Sequence, residues 1–195
     1  SVSIDVAGYL VEVISGKPLD IYMKEKVFDP LKMEDTGFFV PEDKHNRFAV
    51  LYNRGENGAL KGPDDPANDN FKKPVVLFSG GGGLVSTLDD YSRFAQMLLN
   101  GGELEGARIL KDSTVEMIMT NQLPAGVDYE NGGSYGLGGS LNPEKGYYGW
   151  SGAASTHFGV DKKNNMVIIA LTQLMPFNIE YALKFVEKVE GAVMK

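Results

Sequence analysis

The residues best suited to chemistry lie in the stretch 146–173, GYYGWSGAASTHFGVDKKNNMVIIALTQ. Trp150-Ser151-Gly152 opens a strand-like run, and small residues at a strand start let a ligand approach backbone N–H groups closely. Ser155 and His157 stand two apart, which on an extended strand places both on one face. A serine beside an imidazole is the simplest nucleophile–base pair, and Ser151 or Ser155 could play that part with His157. No G-x-S-x-G elbow surrounds either serine and no acidic partner is assigned. A core tryptophan at a strand start therefore stays open beside the functional reading.

A second candidate is Ser79–Thr87, SGGGGLVST. Four glycines in a row suggest a phosphate cradle, but no Lys follows to complete G-x-x-x-x-G-K-[ST], and the βαβ setting of a dinucleotide fingerprint is missing. Close backbone approach explains the glycines better, with Ser86 or Thr87 capping the helix that follows. The two histidines, His45 and His157, fit no metal-binding frame, and there is no cysteine. Thiolate catalysis, disulfides and Cys-based zinc sites are thereby excluded, and no cofactor is expected. Met97, Met117 and Met119 read as core filler.

These residues need elements to hold them. Helical spacing predicts a helix over residues 4–14, with Gly16 just beyond it, and a second opened by Pro18 and running to about Val27. Phe38-Phe39-Val40 reads as a short extended piece and Arg47–Asn53 as a strand. Gly55–Lys73 is a long loop rich in Gly, Pro, Asp and Asn, either a surface excursion or an overhang to a pocket. Leu88–Leu99 is a helix with Asp89 and Asp90 in its first turn. Another helix follows Lys111 and runs through Met119, with Ser113 and Glu116 at capping-box spacing. Residues 124–133 form a further loop. Tyr135–Gly138 starts an extended stretch leading to two strands joined by the polar turn Asp161–Asn165. Pro176–Val193 is an amphipathic terminal helix. Helices and loops, then antiparallel strands, then a helix give an α+β protein whose sheet is covered by helices.

Composition narrows the possible functions. The 195 residues suffice for a sizeable core, and 43% hydrophobic with 10% aromatic residues is usual for a globular protein. A net charge of −7 leaves no basic stripe for phosphates, which argues against a nucleic-acid partner. No apolar run approaches the roughly 20 residues of a membrane span. The opening SVSIDVAGYLVEVISG has neither an initiator Met nor a basic n-region and reads as the interior of a longer sequence. The compartment, cytoplasmic or periplasmic, stays open.

Several stretches taken together resemble the serine β-lactamase-related family: class C β-lactamases, DD-peptidases and family VIII carboxylesterases. They are Gly16-Lys17-Pro18-Leu19, Val27-Phe28-Asp29-Pro30-Leu31-Lys32-Met33, Asp35-Thr36-Gly37-Phe38, Gly81–Thr87 with Asp90–Phe94, and Trp150-Ser151-Gly152 with its hairpin. The resemblance implies acyl transfer by a serine in a Ser-x-x-Lys motif, assisted by a Tyr in a second motif. Its third motif, Lys/His/Trp-x-Gly, maps to Trp150, Ser151 and Gly152 as substrate-binding residues. Ala153, just after it, maps to the residue donating an oxyanion-hole N–H. Trp rather than Lys at position 150 is similar to the esterases, with an apolar wall in place of a charge.

No serine in this sequence has a Lys three residues on. Ser1-Val2 matches the residues after the second-motif Tyr, which would precede Ser1. Tyr129-Glu130-Asn131 has the form Tyr-x-Asn but falls in a late loop. By this resemblance the chain is the C-terminal portion of a β-lactamase/transpeptidase-like domain. Residues 1–132 would be a mostly helical subdomain, and 133–195 the sheet strands with the terminal helix. The N-terminal helix, two strands and the nucleophile helix would be lacking. A strand over Met166–Thr172 should then be an open apolar edge, needing the missing portion or another chain to cover it. A small-molecule ester or amide is the expected substrate of the complete protein. A binding module without turnover is the competing expectation.

Overall fold

A computed structural model describes residues 2–65, 69–129 and 133–193. The chain divides into two compact units, Ser1–Tyr91 with Gln173–Pro176, and Ser92–Thr172 with Phe177–Lys195.

In the first unit, α1 (Val2–Ser15) ends where the sequence places its stop. Gly16 takes φ 68° and its N–H reaches the Glu12 carbonyl at 2.9 Å, closing the last turn. The Glu12 side chain accepts the Leu19 N–H at 2.8 Å and so caps α2 (Leu19–Met23), which runs on into a π-helical turn, Lys24–Phe28. Leu19, Phe28, Leu31 and Met33 are buried. A short 3-10 helix, Glu42–Arg47, precedes the segment expected as a strand and shares only Arg47 with it. Asp35 pairs with this helix, with Lys44 at 2.6 Å and Arg47 at 2.7 Å, contacts 9 and 12 residues away that no local propensity encodes. Of the segment expected as a strand, only Tyr52 and Asn53 lie in a paired strand, β1 (Tyr52–Arg54). It pairs antiparallel with β2 (Leu60–Lys61), inside the expected loop, and parallel with residues 174–175.

The glycine run lies against α1. A Cβ on Gly80 would sit 2.5 Å from the Ile4 carbonyl oxygen, and one on Gly8 would meet Leu19 at 2.9 Å. Asp5 clips the loop in place, accepting from the Ser79 hydroxyl at 2.6 Å and the Gly81 N–H at 3.0 Å. Those two bonds, Ser79 first, hold its carboxyl below the usual range. Close backbone approach is thus what the glycines provide. Phe38–Val40 forms no strand; a single bridge joins Gly37 to Val85, and Phe38 packs edge-on against Phe78. The helix α3 (Leu88–Leu99) matches its expected limits, with the Thr87 hydroxyl accepting the Asp90 N–H at 3.2 Å. Asp90 in turn accepts from the Asp35 N–H at 2.7 Å and the Thr36 hydroxyl at 2.8 Å.

The second unit contains the hairpin β3 (Glu103–Leu104) and β4 (Ala107–Arg108), then α4 (Asp112–Ile118). The helix starts one residue before Ser113, with Lys111 at the cap and no side-chain capping bond, so the expected capping box does not form. Five antiparallel strands follow in sequence order: β5 (Ser134–Tyr135), β6 (Ser140–Asn142), β7 (Tyr147–Ser151), β8 (His157–Asp161) and β9 (Met166–Ala170). The buried Asp161 carboxylate shapes the β8–β9 turn by accepting from the Asn164 N–H at 2.9 Å and its side-chain amide at 2.7 Å. Asn165 adopts the left-handed φ of 52° that the turn demands. The strand β10 (Leu174–Met175) belongs to the first unit, and α5 (Glu180–Val193) packs on β9, burying Ala182 and Val186. This helix starts later than Pro176 because Asn178 caps it, accepting the Glu180 N–H at 2.9 Å. The architecture is α+β, as expected, and β9 has β8 as its one strand partner among the described residues.

Two outcomes follow. Gly80→Ala, forced against the Ile4 carbonyl, should cost about 1–3 kcal/mol in urea unfolding. Arg47, then Lys44, hold the Asp35 carboxyl at about 2, below the ordinary 3.8. A depressed folded-state value stabilises the fold above the unfolded pKa, and that contribution is lost as pH falls from about 4 to about 2. Asp35→Asn should flatten the melting temperature over that window, by less than about 1 kcal/mol because Arg47 is exposed.

Candidate functional site

The third-motif residues sit at the C-terminal end of β7. Its pairing with β6 ends at Gly149, whereas its pairing with β8 continues through Trp150↔Phe158 and Ser151↔His157. On the β6 side, Trp150 and Ser151 therefore have no strand partner among the described residues. A short length of strand edge is left where a ligand could meet main-chain groups.

Strand alternation sends Trp150 and Ser151 to opposite faces. Tyr148 and Trp150 lie on one face, opposite Val160 and Phe158. Tyr148 is buried and meets Phe158 edge-on at 6.2 Å. Trp150 is 41% exposed and joins a ring cluster, 5.8 Å from Tyr135 and 6.4 Å from Tyr129, with those two tyrosines 4.9 Å apart. Trp150 is thus a partly open aromatic wall and not a core residue. Of the Tyr-x-Asn triplet, Tyr129 contributes to this cluster, while Glu130 and Asn131 lie outside the described residues.

The other face holds Tyr147, Gly149 and Ser151, opposite Asp161, Gly159 and His157. The Ser151 hydroxyl is 2.9 Å from His157 Nδ1, and the Tyr147 hydroxyl is 2.7 Å from His157 Nε2. The Tyr147 and His157 rings lie 7° from parallel. Glycine at 159 is what permits this, since a Cβ there would overlap the Tyr147 phenol. Burial pushes the His157 pKa down. It also raises that of Tyr147, with the negative charges of Glu190 and Asp161 adding to the effect. Both rings are neutral near pH 7.

Ser155 does not share a strand face with His157, because β8 begins only at His157. It stands in the preceding turn at φ 64°, fully buried. Its hydroxyl accepts the Asn178 N–H at 2.9 Å, and its carbonyl accepts from Thr172 at 3.0 Å and from Tyr181. These bonds give Ser155 a structural job, joining the turn to the start of α5. Ser151 is the serine that meets the imidazole, through strand register and not through sequence proximity.

Gly152 and Ala153 begin that turn. The Gly152 N–H reaches the Thr156 carbonyl and the Ser155 N–H reaches the Gly152 carbonyl, both at 3.0 Å. The exposed Ala153 has no hydrogen-bond acceptor for its N–H among the described residues. Sequence reasoning missed Tyr147 and Gly159. Their signal was the period-two pattern Tyr147-Gly149-Ser151, which needed the β7–β8 register to be interpreted. Among the described residues no cluster of His, Asp and Glu could hold a metal ion, and no helix is long and apolar enough to cross a membrane.

The family model Beta-lactamase matches residues 1–189. Protein Rv1367c of Mycobacterium tuberculosis is 32% identical over 194 residues, a match covering 89% of this chain and 48% of that protein. Among solved structures, EstCE1, a hydrolase with promiscuous acyltransferase activity, superimposes with a TM-score of 0.81 at 21% identity, covering 97% of this chain and 55% of that one. The simvastatin synthase LovD of Aspergillus terreus gives 0.78 at 22% identity, covering 93% and 51%. The chain spans about half the length of the proteins it matches.

Ser155→Ala should lower stability by about 1–3 kcal/mol, because it removes the acceptor of the Asn178 N–H. Near-ultraviolet circular dichroism of the Trp150 cluster should stay unchanged in that variant below its melting temperature.

Proposed function

The chain belongs to the β-lactamase family, and on that premise we propose that it is the C-terminal portion of a serine acyl-transfer hydrolase, of esterase or β-lactamase-like type. In this reading Trp150, Ser151 and Gly152 form the third-motif strand beside the substrate, and Ala153 gives one oxyanion-hole N–H. The observation that carries the proposal is the strand end itself: β7 loses its β6 partner after Gly149, and the exposed Ala153 amide follows at once. An acyl carbonyl lying along that edge could accept from the amide while its apolar part rests on the Trp150 wall. An aromatic wall without a fixed cation suits an ester or amide lacking a carboxylate at that point.

The nucleophile and its base lie elsewhere in this reading. None of the serines here has the Ser-x-x-Lys spacing. Ser151 meets an imidazole whose second nitrogen faces a phenol and not a carboxylate. One oxyanion donor without a nucleophile gives no covalent route. Two surfaces, one in each unit, support the idea that further polypeptide belongs with this chain. The helix α1 exposes Val6, Tyr9, Leu10, Val13 and Ile14, the last 83% exposed, and β9 ends its sheet with one edge that has no strand partner among the described residues. Apolar faces of this kind are normally covered, and the missing N-terminal portion of the same protein, or another chain, is the proposed cover.

The chain alone should not turn over a p-nitrophenyl ester or a chromogenic cephalosporin. A full-length protein with Ser-x-x-Lys upstream should hydrolyse one of them. Turnover by the purified chain that persists through removal of host esterases would contradict the proposal. Quenching of Trp150, the single tryptophan of this chain, by an ester, with no turnover in either protein, would favour the binding module.

A further inference from the structure

Tyr147 and His157, which have no part in the function proposed above, form with Ser151 a row that is buried at its centre. An imidazole that is neutral has one N–H and one lone pair. Here its two nitrogens face two hydroxyls, Tyr147 at 2.7 Å and Ser151 at 2.9 Å, so one hydroxyl must donate to the ring and the other must accept from it. The direction of the row decides what Ser151 can offer to a ligand. If Ser151 donates to His157, only its lone pairs remain. If Ser151 accepts, its own proton is free.

From this geometry we infer that Tyr147 donates to His157 Nε2 and that His157 Nδ1–H donates to Ser151, which leaves the Ser151 hydroxyl as a hydrogen-bond donor to the acyl ligand. Of the two hydroxyls competing for one lone pair, the phenol is intrinsically the stronger donor and the weaker acceptor, because its oxygen lone pair is delocalised into the ring, whatever burial does to its ionisation. Its ring is held for the task by lying flat across Gly159, nearly parallel to His157. The half-buried Ser151 sits at the end of β7 where β6 pairing has ceased, two residues before Ala153. The group it would meet is an acceptor oxygen: the carbonyl of an ester or amide, or the carboxylate of the released acid. Tyr147 and His157 are then positioning residues that set the polarity of a binding residue without touching the ligand. The identity of the ligand rests on the acyl-transfer reading; the direction of the row does not.

The test is the histidine ring-nitrogen NMR spectrum of the chain at pH 7.5, in a His45→Gln background that leaves His157 as the only histidine. The expected result is a pyridine-like Nε2 and a protonated Nδ1. The reverse pattern, or averaged signals from two exchanging tautomers, would overturn the inference. In Tyr147→Phe the ring loses its donor, and the proton should move to Nε2, the position a free imidazole favours. A contact that merely packs the rings would leave the tautomer unchanged. Butyrate, the product of a simple acyl ester, supplies the ligand arm through amide shifts of Ser151 and Ala153. Ser151→Ala and Tyr147→Phe should each weaken its binding at least threefold, and wild-type affinity in Tyr147→Phe would overturn the donor role. Absence of any butyrate shift in the wild type would instead overturn the acyl reading, with the tautomer still deciding the direction of the row.

Discussion

In the ladder between β7 and β8, Gly149 faces Gly159 and Ser151 faces His157, and the described site depends on that register. A slip of one residue would exchange the two faces and turn Trp150 onto the face that now holds Tyr147, Gly149 and Ser151. Two facing glycines weaken a sheet by themselves, since they contribute no side-chain packing. Here they leave the depth into which the Tyr147 phenol lies, and the tyrosine returns the lost contact through its ring and its bond to His157. The turn between the strands is fixed in the same spirit, with Ser155 buried and its hydroxyl and carbonyl both engaged by residues 172–181. A well-anchored turn holds Gly152 and Ala153 in place at the strand end.

The first unit follows a different rule. There, carboxylates hold loops against helices: Glu12 caps α2, Asp5 clips the glycine run, and Asp90 ties residues 35 and 36 to the start of α3. Each satisfies N–H groups that a turn would otherwise leave without partners. Helix α1 stands apart within this unit, since Gly8 is its one buried residue and its apolar side chains are largely exposed.

Much of the fold was legible because the signals were local. The limits of α3, the Thr87 cap, the Gly16 stop and the Asp161–Asn165 turn all follow from residues within a few positions of one another. The expectations that changed were those overridden by distant partners. The strand expected over 47–53 is cut back to β1, whose partners at 174–175 lie more than a hundred positions away. For the site, the triplet Trp150-Ser151-Gly152 was found from its residue types, but the opposite faces of Trp150 and Ser151 were not. Nor could the sequence choose Ser151 over Ser155 as the partner of His157. Proximity in the chain favoured Ser155, and only the strand register brings Ser151 across.

The central claim is that this chain forms one wall of an acyl-transfer site without carrying its nucleophile. Intact-mass spectrometry after exposure to a fluorophosphonate, which labels activated serines, tests it most directly. The account predicts an unchanged mass for the chain, and for the full-length protein a single adduct on a serine outside these 195 residues. A stoichiometric adduct on any serine of this chain, Ser151 above all, would contradict it.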